Sequence, residues 1–263
     1  MLVFAAFTPN SPLLTPEINK DKLLAVEKTR TAMQELADEL YASKPDTVVI
    51  ITDHPTRYRD AFCISLSDPY KFDLKEFGHF GFDRTFRPDL MLIDQLQRTL
   101  RKAGQPITMS SDEALHYASA VPLSILTARL PKVNLVPIAY CDLEPKAHFE
   151  FGQNIKEAII SSSKRIAVIA AADMAHTLSL DGPAPLHSDG QIFDDKIQEL
   201  ISTKNSAGLL TIKPKILKNA KQLSHLPLTI MFGLLDHVAV EPTILSYEAP
   251  FGVGFLVANF TIK

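Results

Sequence analysis

Three apolar runs in this chain lead directly into histidine, carboxylate and amide side chains, and those junctions are where chemistry should be sought. Leu2 to Phe7 runs into Thr8, Pro9, Asn10, Ser11 and Pro12. Thr47 to Thr52 (TVVIIT) runs into Asp53, His54 and Pro55, and Arg165 to Ala171 into Ala172, Asp173, Met174, Ala175 and His176. If these runs are neighbouring strands, Asn10, His54, Asp173 and His176 share one pocket. Imidazoles beside a carboxylate can there bind a metal or move protons. Each residue alone also has a plainer reading. A histidine after a strand is commonly a hydrogen-bonded loop residue, and Asp173 can cap the turn after its own strand.

Other chemistries find no support. The chain has no GxxxxGK(S/T) or GxGxxG, so no phosphate-cradling loop is indicated, and no GxSxG nucleophile turn. Pro250 to Gly254 (PFGVG) lies between two apolar runs without a following helix and reads as a turn or close-packed strand. Cys63 and Cys141 are too few for a disulfide framework and have no partner at metal-finger spacing. Cys63, on a strand, reads as core.

The elements that must hold those residues follow from periodicity. Strands are expected at Leu2 to Phe7, Thr47 to Thr52, Ala61 to Leu66, Val133 to Tyr140, Arg165 to Ala171, Thr243 to Tyr247 and Val253 to Phe260. Helices are expected at Asn19 to Ser43, Leu90 to Lys102, Val121 to Arg129, Lys146 to Ile160 and Asp189 to Ser202, with several short ones up to Asp236. Ser67 to Arg87 reads as an irregular excursion. The alternation predicts an α/β protein, three-layer α/β/α with a mixed, mostly parallel central sheet. No linker or repeat divides residues 1–263, so one domain is expected. In such sheets ligands collect at the carboxyl ends of the strands.

Composition narrows the class. The 263 residues carry 27 Lys and Arg against 30 Asp and Glu, a net charge of -3, which offers no broad basic field for nucleic acid. The opening MLVFAAFTPNSPLLTPE lacks a positive n-region, and no uncharged run approaches the roughly 20 residues needed to span a membrane. A cytoplasmic protein without nucleic-acid or membrane partners is expected. No heptad or exposed apolar stripe marks an oligomer interface.

The segments FTPNSPLLTPEI, KPDTVVIITDH, LHYASAVPLSIL, HFEFGQNIKEAI, KRIAVIAAADMAHTLSLDGPA and LSYEAPFGVGFLVANF, in this order, resemble the LigB-like superfamily. It comprises the class III extradiol ring-cleavage dioxygenases and the Memo-like proteins, and within it the resemblance is to the AmmeMemoRadiSam system protein B type. Catalytic members hold a non-haem Fe(II) on two histidines and a carboxylate, with open positions for a catecholic substrate and oxygen. The resemblance places Asn10 where the first histidine of a P-H-P-P motif would be, and His54 at the second. Gln222 falls at the carboxylate position, Leu223 at a neighbouring cysteine position, and His225 lies one turn away as a substitute. His176 matches the acid/base histidine of an S-G-D-L-S-H motif, with Asp173 before it. Tyr117 stands where relatives carry Tyr or His, and His116 replaces a common Asp.

The resemblance therefore implies an oxidoreductase pocket with catalytic His176 and Asp173, a metal set of His54, Asn10 and Gln222 or His225, and Fe(II) or another divalent metal as cofactor. A neutral amide oxygen is a poor Fe(II) ligand, and losing a carboxylate removes charge that offsets the ion. The alternative is a metal-free homologue that binds a small aromatic or polar ligand, or a protein partner. His116, Tyr117 and Glu248 are further pocket candidates, and Glu248 can equally bond the turn after it. His187 lies in a loop that can reach the pocket. His79 reads as a surface loop, and His148 and His237 as solvated.

Overall fold

The structure, a computed structural model, describes residues 1–20, 22–53, 57–72, 74–78, 84–112 and 114–263. In chain order it contains β1 (Leu2–Thr8), α1 (Glu27–Ala42), β2 (Thr47–Thr52), β3 (Phe62–Ser65), β4 (Tyr70–Phe72), β5 (Thr85–Phe86), α2 (Leu90–Lys102), β6 (Ile107–Ser110), β7 (Ala114–Leu115) and α3 (Tyr117–Leu126). Then follow β8 (Asn134–Ala139), α4 (Pro145–Ser161), β9 (Ile166–Ala171), α5 (Ser188–Ser202), α6 (Ser206–Leu210), α7 (Pro214–Ala220), α8 (His225–Leu234), β10 (Val240–Glu248) and β11 (Phe255–Ile262).

Eight strands form one sheet in the order β10-β11-β1-β9-β2-β8-β3-β6, with a small second sheet of β5-β4-β7. The four central strands β1, β9, β2 and β8 are parallel. β11 runs antiparallel to both β10 and β1, and β3 antiparallel to β8. The three runs that end in polar residues are thus adjacent, in the order β1-β9-β2. Side-chain alternation assigns the two faces. Phe7, Val49, Ile51, Val168 and Ile138 pack with apolar residues of α2, α4, α5 and α8. Phe4, Val48, Ile50, Ile169 and Leu135 pack with α1 and α3. The result is the expected three-layer α/β/α architecture with a mixed, mostly parallel sheet. TVVIIT is apolar throughout because both faces of β2 are covered.

Several boundaries differ from expectation, each for a local reason. The helix expected from Asn19 begins at Glu27, after a 3-10 turn at Leu23–Val26. Asn19 is held back by donating its side-chain N–H to Leu13 C=O at 2.8 Å. The helix expected from Val121 begins earlier, at Tyr117, and contains Pro122. Proline has no N–H to give Ala118 C=O four residues back, and that carbonyl lies 3.4 Å from the Thr52 hydroxyl instead. The excursion Ser67 to Arg87 includes the short β4 and β5. β6 was not anticipated because it is only four half-buried residues.

His148 corrects an expectation outright. It is completely buried rather than solvated, because the inward face of α4 is His148, Phe151, Gly152, Ile155, Ala158 and Ile159. Its ring meets Phe62 edge-on with centroids 4.9 Å apart. Burial lowers its pKa to about 4, so the imidazole is neutral.

Candidate functional site

The carboxyl ends of β1, β9 and β2 bring Asn10, Asp173 and Asp53 to one edge of the sheet. His54 lies outside the described residues, as does His79. Asp173 is 8% exposed, and its Oδ1 accepts the backbone N–H of Asn10 at 3.0 Å. It therefore ties down the loop after the neighbouring strand rather than capping a turn of its own. Desolvation pushes its pKa up to about 7, against the stabilising backbone hydrogen bonds from Asn10 and Ser11.

Asn10 is also buried, and its amide nitrogen is directed into the fold. Nδ2 lies 3.2 Å from the Thr52 hydroxyl and 3.3 Å from Ala171 C=O. Thr52 in turn donates to Ala171 C=O at 2.7 Å. The amide thus knits the ends of β1, β2 and β9 together.

Tyr117, the first residue of α3, faces the same end of the sheet. Its pKa is raised by burial first, then by the negative fields of Asp173, Asp53 and Glu76. The His116 ring sits 4.2 Å from that of Tyr117, and Phe77 packs on Tyr117 edge-on at 5.2 Å. Tyr140, just beyond β8, is buried and kept protonated by desolvation and by the Asp53 charge. Sequence reasoning did not single it out, although it follows a buried strand as the other candidates do.

His176 lies on the segment after β9. Its imidazole Nδ1 is buried with no hydrogen bond of good geometry among the described residues. Desolvation lowers its pKa, while the nearby carbonyls of Met174 and Lys221 pull it partly back.

The other candidates are engaged elsewhere. Gln222 Oε1 accepts the backbone N–H of His225 at 2.8 Å, which caps the start of α8. His225 is 1% exposed, with Nε2 2.8 Å from Leu209 C=O in α6. Glu248 accepts from both the N–H and the hydroxyl of Thr29, at 2.8 and 2.6 Å, and so caps α1. Unsatisfied N–H groups at a helix start favour such acceptors. His187 caps α5, accepting from the N–H of Asp189 at 3.0 Å. His237 is exposed, as expected, and Cys63 and Cys141 are buried free thiols.

Of the described candidates, Asn10, Gln222 and His225 are each held by other parts of the fold rather than left open to an ion. Among the described residues no group of three or more His, Cys, Asp or Glu could hold a metal ion. The oxygen of Gln222 and Nε2 of His225 are already used, and one oxygen of Asp173 accepts the backbone N–H of Asn10. The described part of the site gathers a buried acid, an imidazole of lowered pKa and phenols.

Sequence reasoning also missed Asp194 on α5. It is fully buried, accepting the N–H of Ala175 at 3.0 Å and the hydroxyl of Tyr247 at 2.7 Å. Its signal was faint, an acid on the inward stripe Phe193, Ile197, Leu200, Ile201.

Comparison with known proteins agrees with this architecture. Residues 4–258 match the family model described as LigB, the catalytic LigB subunit of aromatic ring-opening dioxygenase. Among curated relatives, Protein CA_C1420 of Clostridium acetobutylicum is 23% identical over 94% of this chain, which spans only 55% of that longer protein. The 2-aminophenol 1,6-dioxygenase alpha subunit of a Pseudomonas species is 26% identical over 99% of both chains. Among solved structures, an uncharacterized protein, JW3007 of Escherichia coli K12, superposes with a TM-score of 0.69 at 14% identity, covering 98% of this chain and 99% of the other. Among the described residues, no helix is long and apolar enough to cross a membrane.

Proposed function

The chain belongs to the LigB family, and from that premise we propose that it keeps the family's pocket as a binding site for a small phenolic or aminophenolic ligand without a three-ligand iron centre. The observation that carries this is the engagement of the two residues at the ligand positions. Gln222 caps α8, and Asn10 joins three strand ends. Both amides are explained by what they bond inside the fold. A ligand's hydroxyl or amino group would meet Asp173, His176 and Tyr117, and 2-aminophenol is a natural probe given the name of the Pseudomonas relative.

The test is calorimetric titration with catechol and with 2-aminophenol, in chelator and again after anaerobic loading with Fe(II). Binding that is indifferent to chelator, with metal content far below one per chain, is expected. Near-stoichiometric iron that disappears in His54→Ala would sink the proposal.

One observation favours the second reading, metal-assisted ring cleavage with His54 as the principal ligand. The buried Nδ1 of His176, without a hydrogen-bond partner among the described residues, on an imidazole whose pKa burial lowers, suits a group that takes a proton from a substrate hydroxyl. Oxygen uptake with catechol or 2-aminophenol by the iron-loaded protein, abolished by His176→Ala, would establish it.

A further inference from the structure

The segment that carries Asp173 and His176 is anchored to several neighbours. Ala172 N–H donates to Thr8 C=O in β1 at 2.9 Å, and Met174 N–H to Gly254 C=O at 2.9 Å. Gly254 returns its own N–H to Ala175 C=O at 2.9 Å, and His176 N–H reaches Ala220 C=O at the end of α7, also at 2.9 Å. Those are all backbone partners, which any sequence could supply. A further donor, the N–H of Ala175, is taken by the Asp194 side chain. Among the described residues, Asp194 is the one side chain from outside the segment to accept a backbone N–H from it.

Asp194 is itself fixed. Its second oxygen is held by Tyr247 of β10, and it is wholly shielded from solvent. The carboxylate also shapes its surroundings. A Cβ on Gly254 would lie 2.1 Å from Asp194 Oδ2 and 2.8 Å from Met174 Cβ. The chain before β11 must therefore be glycine for the carboxylate to fit beneath the segment. An unshared backbone N–H at this depth would cost about 1–3 kcal/mol, so losing the acceptor gives Ala175 a reason to move.

We propose that Asp194 is a positioning residue for His176, holding the peptide before it and so fixing where the imidazole stands in the pocket. Asp194 touches no ligand in this role; it acts through Ala175. The inference rests on reading His176 as a working group of the pocket.

The test follows the His176 ring by heteronuclear NMR titration in wild type, Asp194→Ala, Asp194→Asn and Tyr247→Phe. Amide signals from β1, β2 and β8 check that each variant is folded. Asp194→Ala is expected to move the His176 midpoint upward by about 0.5 pH unit or more, toward the ordinary value near 6.5, as the freed segment lets water reach the ring. Asp194→Asn keeps an acceptor for Ala175 and turns an N–H toward Tyr247, so it should stay close to wild type. Tyr247→Phe should shift His176 in the same direction by less, and it decides the matter if Asp194→Ala does not fold. An unchanged midpoint in a folded Asp194→Ala, or in Tyr247→Phe when that variant decides, would overturn the proposal. So would an Asn variant that shifts the ring as far as Ala does, because charge rather than position would then be at work. The titration reads the ring whether or not the pocket binds or converts anything, so failure of the functional reading leaves this result standing.

Discussion

The buried carboxylate of Asp173 accepts the backbone N–H of Asn10 at 3.0 Å, so the residues that end two neighbouring parallel strands are bonded to each other. This single contact turns two candidate site residues into one unit. It predicts that Asp173→Ala loosens the loop after β1, with a loss of about 1–3 kcal/mol from the orphaned N–H. Faster hydrogen exchange at Asn10 and Ser11, with β8 unaffected, would show it. Uniform exchange changes across the sheet would contradict it.

The pH dependence of stability follows from opposite shifts at two buried groups. Asp173 has a folded pKa raised to about 7 against an ordinary value of 3.8. The folded state keeps a proton that the unfolded chain gives up, so its penalty is absent below about pH 4 and grows as pH rises to about 7. His148 is lowered to about 4 from 6.5. Its neutrality is stabilising above about pH 6.5, and that contribution is lost as pH falls toward 4. Asp173→Asn should therefore steepen the loss of stability on acidification, and His148→Phe should flatten it. Urea unfolding at pH 4.5, 6 and 8 measures both, and parallel curves for the two variants would refute the assignment.

Gln222 makes a sharper case, because the family resemblance expects a ligand there while the structure shows it serving as a cap. Gln222→Ala should cost about 1 kcal/mol by freeing the N–H of His225. Gln222→Glu should retain the cap and gain from the positive end of α8, raising the melting temperature slightly. A Glu variant much less stable than Ala would mean that the side chain has a different task.

The pairing of Asn10 with Asp173 was legible in the sequence because it rests on a local regularity, an apolar strand followed at once by polar residues. The adjacency of β1, β9 and β2 then brought Asn10 and Asp173 into contact. What was not legible depends on partners distant in the chain. Glu248 reads as a residue after a strand, but its partner Thr29 lies 219 positions away. Asp194 reads as one acid among several in an amphipathic helix, and only the fold places Ala175 over it. His148 is different, since its period with Phe151, Ile155 and Ile159 was visible and the flanking charges of Glu144 and Lys146 obscured it.

A close backbone approach in the helical layers provides the last prediction. α4 and α8 cross where Gly152 and Gly233 face each other. A Cβ built on Gly152 would sit 2.1 Å from Ile230 C=O, and one on Gly233 would sit 2.0 Å from Phe149 C=O. Both obstacles are backbone, so no side chain can swing aside. Alanine at either position must push the helices apart, and α8 carries at its start the His225 and Gln222 cap described above. Gly233→Ala should cost about 1–3 kcal/mol or more from overpacking. Gly104→Ala has open space around its Cβ and should cost only about 1 kcal/mol, from its positive φ alone. Thermal unfolding of the two variants side by side gives the comparison, and equal losses would show that α4 and α8 can yield without strain.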